Sequence, residues 1–204
     1  MYTLLSGLWR YIRQKDEYNV LILGLDNAGK TTYLEQTKMK FTSNYQGMSL
    51  NKITTTVGLN IGQIDIGHVR LNFWDLGGQE ELQSLWDKYY AESHAVIYVI
   101  DSSDTDRFDE SKEAFDKMVT NKTLETVPLL TLANKQDLEG SMRVENVQKI
   151  FISNAQHLGE REHKMNGVSA LKGDGVDEGI LWLVEAIKRN SLCRPPIQKD
   201  IRGT

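Results

Sequence analysis

Gly24-Leu25-Asp26-Asn27-Ala28-Gly29-Lys30-Thr31 sets two glycines, a lysine and a hydroxyl at the spacing G-x-x-x-x-G-K-[ST]. The glycines let the backbone wrap closely, so its N–H groups can point at phosphate oxygens. A helix starting there would add its positive end. The candidate phosphate-binding residues are Asp26, Asn27, Ala28, Gly29, Lys30, Thr31 and Thr32. Lys30 would reach the β- and γ-phosphates, and the Thr31 hydroxyl would serve Mg²⁺. A lone match can be a chance glycine-rich turn. A strand before it and a helix after it are the confirming context.

Asn134-Lys135-Gln136-Asp137 can choose the base. Asp137 can accept two hydrogen bonds, from the guanine ring N–H and the exocyclic amine. Adenine lacks that donor pair and would leave the carboxylate unpaired, a penalty that can reach roughly 10⁴-fold. Asn134 suits the N7 edge, and the Lys135 stem can cover the ring. Ser169-Ala170-Leu171 can present the Ala170 N–H to the guanine O6. Alone, such a tetrapeptide reads as a polar turn. Here it follows an apolar run, at the end of a sheet where α/β proteins bind ligands.

Two further stretches could sense a γ-phosphate. In Trp74-Asp75-Leu76-Gly77-Gly78-Gln79, Asp75 would hold Mg²⁺ through water and the Gly78 N–H would face the phosphate. Gln79 would orient the attacking water as the catalytic residue. One threonine of Thr54-Thr55-Thr56 could give its hydroxyl to Mg²⁺, and the residues alone do not say which.

The elements that must position these groups follow from periodicity. Apolar runs predict strands at 18–23, 95–100, 127–133 and 163–168, and alternation predicts a hairpin of 59–65 with 69–75. Helices are expected from about 29 to 38, at 80–91, at 104–120 with a cap, at 144–157 and at 175–190, with a loop over 41–56. Alternating strands and helices imply an α/β fold. Its sheet would be mainly parallel and six-stranded, with one antiparallel edge strand and helices on both faces.

The chain has 204 residues and a net charge of −4, which argues for one domain and against a nucleic-acid partner. Its single cysteine, Cys193, cannot form an internal disulfide, which suits a reducing compartment. His68, His94, His157 and His163 have no metal or catalytic spacing. The leader MYTLLSGLWRYIRQKDE is too short between charges to span a bilayer, which takes roughly 20 apolar residues. Tyr2, Leu4, Leu5, Leu8, Trp9 and Ile12 fall at helical spacings, with Arg10, Arg13 and Lys15 toward the end. That pattern predicts an amphipathic helix suited to an interface or to packing on the domain. The chain thus divides into a helix over 1–16, a domain over 17–190 and an extended or disordered basic tail over 191–204.

In order, GLDNAGKTT, TTVGLN, FWDLGGQEELQSLWDKYY, NKQD and SALKGDG resemble the Arf family of small GTPases across nearly the whole chain. The resemblance implies the P-loop small-GTPase fold, GTP and GDP as ligands, Mg²⁺ and a GTPase cycle. It selects Thr56 as the metal-binding threonine and implies an effector surface of Leu59, Trp74 and Tyr89. It also implies an exchange factor, an activating protein and effectors acting on a monomer. Thr55 and Leu59 stand where the family has Pro and Phe, which concerns effector choice. Thr54 stands where a cis arginine would speed hydrolysis, so slow turnover and an arginine supplied in trans are expected.

In the family the leader docks in a groove with GDP and is released to the membrane with GTP. A two-residue slide of the hairpin would keep each side chain on its own face, and so offers a coupling element. Met1-Tyr2 replaces the family's Met-Gly, which removes the myristoylation signal and leaves acetylation of Met1 as the expected modification. The expected anchor is therefore a membrane-protein receptor besides the membrane surface, with a cytoplasmic protein held peripherally at the Golgi and trans-Golgi network. The rival readings are a module that holds GTP without hydrolysing it, and a P-loop ATPase or nucleoside kinase.

Overall fold

The computed structural model describes residues 15–152 and 158–197. The leader helix over 1–16, the end of the 144–157 helix with His157, and the last residues of the tail lie mostly or wholly outside that range.

Six strands form one sheet in the order β2-β3-β1-β4-β5-β6. They are β1 (Asp16–Leu23), β2 (Leu59–Ile66), β3 (Val69–Leu76), β4 (Ala95–Asp101), β5 (Leu129–Asn134) and β6 (His163–Gly167). Only β2 pairs antiparallel, along β3 from Leu59↔Leu76 to Ile66↔Val69. β1 shows why the sheet is covered twice. Val20 and Ile22 enter one core with Tyr33, Leu34 and Ile180, while Leu21 and Leu23 enter the other with Phe115, Met118 and Val147. Successive side chains point to opposite faces, so a strand buried on both sides reads as an unbroken apolar run.

α1 (Lys30–Phe41) and α6 (Val176–Arg189) cover the first face, and α4 (Phe108–Val119) and α5 (Val144–Phe151) the second. α1 runs three residues past the expected end. The helix expected over 80–91 is instead two short turns, α2 (Glu80–Gln83) and α3 (Asp87–Tyr90). Between them Leu85, Trp86 and Lys88 bond to carbonyls three residues back, the tighter 3₁₀ pattern. The buried Trp86 fixes this break by donating Nε1–H to Gly77 O at 3.0 Å. The helix expected from 104 starts with a 3₁₀ turn, and its Asp104 carboxylate takes the Arg107 Nε–H instead of capping backbone.

After α6 the chain makes a 3₁₀ turn at Asn190–Leu192, and Ile197 bridges to Glu17 at the start of β1. No helix among the described residues is long and apolar enough to cross a membrane.

Candidate nucleotide-binding site

β1 ends at Leu23 and α1 begins at Lys30, so the glycine-rich loop joins a strand to a helix start. Gly29 sits at φ 95° as the residue before α1, a conformation that favours glycine. Lys30 is 5% exposed, and its ammonium folds back across its own loop onto Gly24 O (2.9 Å) and Leu25 O (2.7 Å). Burial pulls its pKa down to about 8, against the pull of Asp75 and Asp26. An anionic phosphate beside it would raise that pKa again.

Opposite stands a cluster of hard oxygens. Thr31 donates to Asp75 Oδ2 at 2.6 Å, and the Thr56 hydroxyl lies 2.7 Å from Thr31 Oγ1 and 3.4 Å from Asp75 Oδ2. Thr54 and Thr55 are exposed, so the geometry picks out Thr56 from the three threonines. Asn60 adds a bond to Asp75 Oδ2 at 3.3 Å. Asp75 is fully buried, and its Oδ1 has no hydrogen-bond partner. Burial raises its pKa despite those donors. A buried carboxylate with one oxygen on two hydroxyls and the other without a donor suits a small divalent cation.

Gly78 closes this end. A Cβ there would stand 2.4 Å from Asp26 N and Gly24 O, so only glycine can lie against the loop. A cavity of about 120 Å³ is lined by the loop, by Lys30, Thr31 and Thr32, by residues 53–56 and by Gly78.

A second cavity of about 470 Å³ adjoins it, sharing Asn27, Gly29 and Thr32. Asn134, Lys135, Asp137, Leu138, Ala170 and Leu171 form its far wall. Ser169 donates to Asp137 Oδ1 at 2.7 Å, and among the described residues no donor meets the other carboxylate oxygen. Lys135 sits at φ 64°, and its ammonium pairs with Asp101 at 2.6 Å.

The structure differs from the sequence reading at Ala170 and Asn134. The Ala170 N–H donates to Asn134 Oδ1 at 2.9 Å, and Asn134 Nδ2 donates to Ala28 O at 2.7 Å. Asn134 therefore ties the glycine-rich loop to the 169–171 loop, because at this depth every amide group needs a partner.

The sequence profile of the ADP-ribosylation factor family matches residues 3–187. This chain belongs to that family. It is 63% identical over 98% of its length to "ADP-ribosylation factor-related protein 1" of Bos taurus and 61% identical over 98% to that of Homo sapiens, covering 100% of each. "ADP-ribosylation factor-like protein 3" of Saccharomyces cerevisiae is 42% identical over 98% of the chain and 100% of its own. Among solved structures, the Arl6 BBS3 small GTPase of Trypanosoma brucei, with bound nucleotide analogue GppNp, matches at a TM-score of 0.74. It is 32% identical, over 85% of this chain and 98% of that one. The chain is thus an Arf-like small GTPase, a switch that binds GTP and GDP and hydrolyses GTP, and it works with exchange factors, activating proteins and effectors.

Within this GTPase, Gln79 is exposed, and it does not line the phosphate cavity. Its carbonyl instead starts α2 by accepting the N–H groups of Leu82 and Gln83. Trp74 and Tyr89 meet edge to face at 5.6 Å. Leu59 is exposed beside them, and Val57 and Ile61, absent from the sequence reading, are more exposed still. Ile61 stands opposite Trp74 in the ladder, and period-two alternation from Leu59 could have found it. Arg107 was also missed. It donates to Asp26 Oδ1 and to Asp104 Oδ2, each at 2.7 Å, from a helix start far along the chain.

Proposed function

We propose that this GTPase regulates membrane traffic at the Golgi and trans-Golgi network, with GTP releasing its N-terminal helix to a membrane-protein receptor and the adjoining membrane. The observation that carries this reading is how the β2–β3 hairpin is held. At one end Thr56 lines the phosphate cavity, and Asp75 on β3 meets Thr56 and Thr31 behind it. At the other end, Lys15 pairs with Asp65 at 2.8 Å, and the Asp16 N–H donates to His68 O at 2.9 Å. Thr56 and Gly78 already lie against the glycine-rich loop, so a γ-phosphate that holds them there would fix the hairpin, and with it the point where the leader leaves the domain. A two-residue slide moves the hairpin by about 7 Å and keeps each side chain on its face.

In this reading the hydroxyls of Thr31 and Thr56 hold Mg²⁺, with Asp75 acting through water. The ion supplies charge neutralisation at the phosphates. Lys30 turns from the loop carbonyls to the phosphates, the Gly78 N–H faces the γ-phosphate, and Gln79 swings in to orient water. Asp137 reads the guanine edge. Leu59, Trp74 and Tyr89 meet effectors in the GTP state. The protein acts as a monomer, acetylated on Met1.

The test is amide exchange across residues 2–13 of the full chain, loaded with GDP or with a non-hydrolysable GTP analogue. Faster exchange with the analogue supports release, and identical exchange overturns it. Flotation of the acetylated, analogue-loaded protein with protein-free liposomes separates the two anchors. No binding supports a receptor, and strong binding removes the need for one.

A further inference from the structure

The segment between α1 and Thr56 enters the site from a buried acid that the nucleotide chemistry does not use. Glu35 is 2% exposed, on the third position after Thr32 in α1. Its Oε1 accepts from Lys38 Nζ at 2.6 Å, and its Oε2 accepts from Tyr45 Oη at 2.7 Å and the Met48 N–H at 3.2 Å. The Lys38 ammonium also lies 4.5 Å over the Tyr45 ring. Gly47 lets the loop close onto the helix, since a Cβ there would stand 2.7 Å from Met39 Sδ. Burial opposes ionisation, yet these bonds outweigh it and hold the Glu35 carboxyl below the usual range.

A buried carboxylate is costly unless every oxygen is answered. Here Lys38 of α1 itself answers Oε1, while the groups that answer Oε2 come from 45–48, a stretch with no strand or helix of its own. Five residues beyond Met48, the same segment lines the phosphate cavity from Ile53 to Thr56. Downstream it is pinned again, where the Gly77 N–H meets Gly58 O at 2.9 Å. The loop is thus fastened at two points, and Thr56 lies between them. The upstream fastening is on the helix whose first turn supplies Lys30 and Thr31. The clamp thus ties the loop to the helix that carries the cradle.

We propose that Glu35 is a positioning residue for the GTP state, clamping the incoming leg of the switch loop so that Thr56 reaches Thr31 and Asp75. The proposal rests on the reading of Thr56 as the threonine that senses the γ-phosphate and its cation. GDP does not engage Thr56 in that reading, so the clamp discriminates between the two nucleotides.

The test measures release of a fluorescent GDP and of a fluorescent non-hydrolysable GTP analogue from the full chain in Mg²⁺. Glu35→Gln keeps the shape but turns one acceptor oxygen into a donor, which must face Lys38 or the Met48 N–H. It should speed analogue release roughly tenfold, the equivalent of one charge-assisted bond, and leave GDP release unchanged. Tyr45→Phe leaves the carboxylate and its Lys38 pair intact, so it remains informative if the buried substitution fails to fold. It should act in the same direction by roughly threefold. Equal changes for both nucleotides would mark a merely structural acid and overturn the proposal, as would no change for either. Thr56→Ala separates the levels. If it leaves analogue release unaltered, the reading of Thr56 fails and the route through Glu35 falls with it. If it speeds release while both clamp variants do not, only the clamp falls.

Discussion

Arg107 Nη1 lies 2.7 Å from Asp26 Oδ1, across 81 residues of sequence. Asp26 lines the phosphate cavity, and the same guanidinium holds Asp104. The pair withdraws a carboxylate from the place where a γ-phosphate would add negative charge. Both side chains are about a third exposed, so solvent screens the pair.

Arg107→Ala should therefore weaken binding of a GTP analogue relative to GDP by a few-fold, in line with about 0.2–1 kcal/mol for a partly exposed pair. Adding Asp26→Asn should restore the ratio, because the freed charge is gone. Titration calorimetry on the single and double variants closes the cycle. A double variant no better than Arg107→Ala would assign the arginine a different task.

Asp75 predicts a conflict between function and stability. Its buried Oδ1 lacks a donor and burial already raises its pKa, so the apoprotein has little use for the charge. Asp75→Asn should leave the melting temperature of the nucleotide-free protein unchanged or higher. In wild type, chelating Mg²⁺ should speed nucleotide release, and in the variant that sensitivity should vanish. Release that stays chelator-sensitive would mean the ion is held elsewhere.

What was legible in the sequence depends on distance along the chain. The glycine-rich spacing, the strand ahead of it and the two-residue alternation of the hairpin are local patterns, and the sheet repeats them in order. The break at Ser84 to Trp86 was not legible, since the Trp86 bond to Gly77 O forms only once the segment folds back over the sheet. The same holds for Arg107 with Asp26 and for Ala170 with Asn134, where each partner is an ordinary polar residue until the topology joins loops 81 and 36 residues apart. Glu35 is subtler. Helical spacing gives no sign of its burial, because its partners Tyr45 and Met48 reach it from a loop without periodicity.

His163 gives a pH signature. It lies on β6 with Nε2 3.1 Å from Thr131 Oγ1, and burial, then Arg161, pulls its pKa down to about 4. The unfolded chain, with a value near 6.5, binds this proton first. Stability from this residue is thus complete above about pH 6.5 and is lost as pH falls toward 4. The loss is on the order of 2–3 kcal/mol. Urea unfolding of GDP-bound protein between those limits should show the slope, and His163→Gln should flatten it. An unchanged slope would place the linkage in other groups.

Hydrolysis offers the last prediction. None of the residues lining the phosphate cavity is an arginine, and Arg107 is already committed to Asp26 and Asp104. Gln79 is exposed and does not line the cavity, so in the proposed mechanism it must also be brought in to orient water. Two parts of the transition-state machinery are therefore missing from the resting arrangement, and an activating protein that inserts an arginine would supply both by pressing on α2. Partner-free turnover should lie well below about 10⁻² s⁻¹, the range of a GTPase with its arginine in cis. Gln79→Leu should then change the partner-free rate little and abolish stimulation by an activating protein, as read by single-turnover phosphate release. A fast intrinsic rate would require that Arg107 leave Asp26 for the γ-phosphate. Repeating the measurement with Arg107→Ala would then reveal it as a cis arginine.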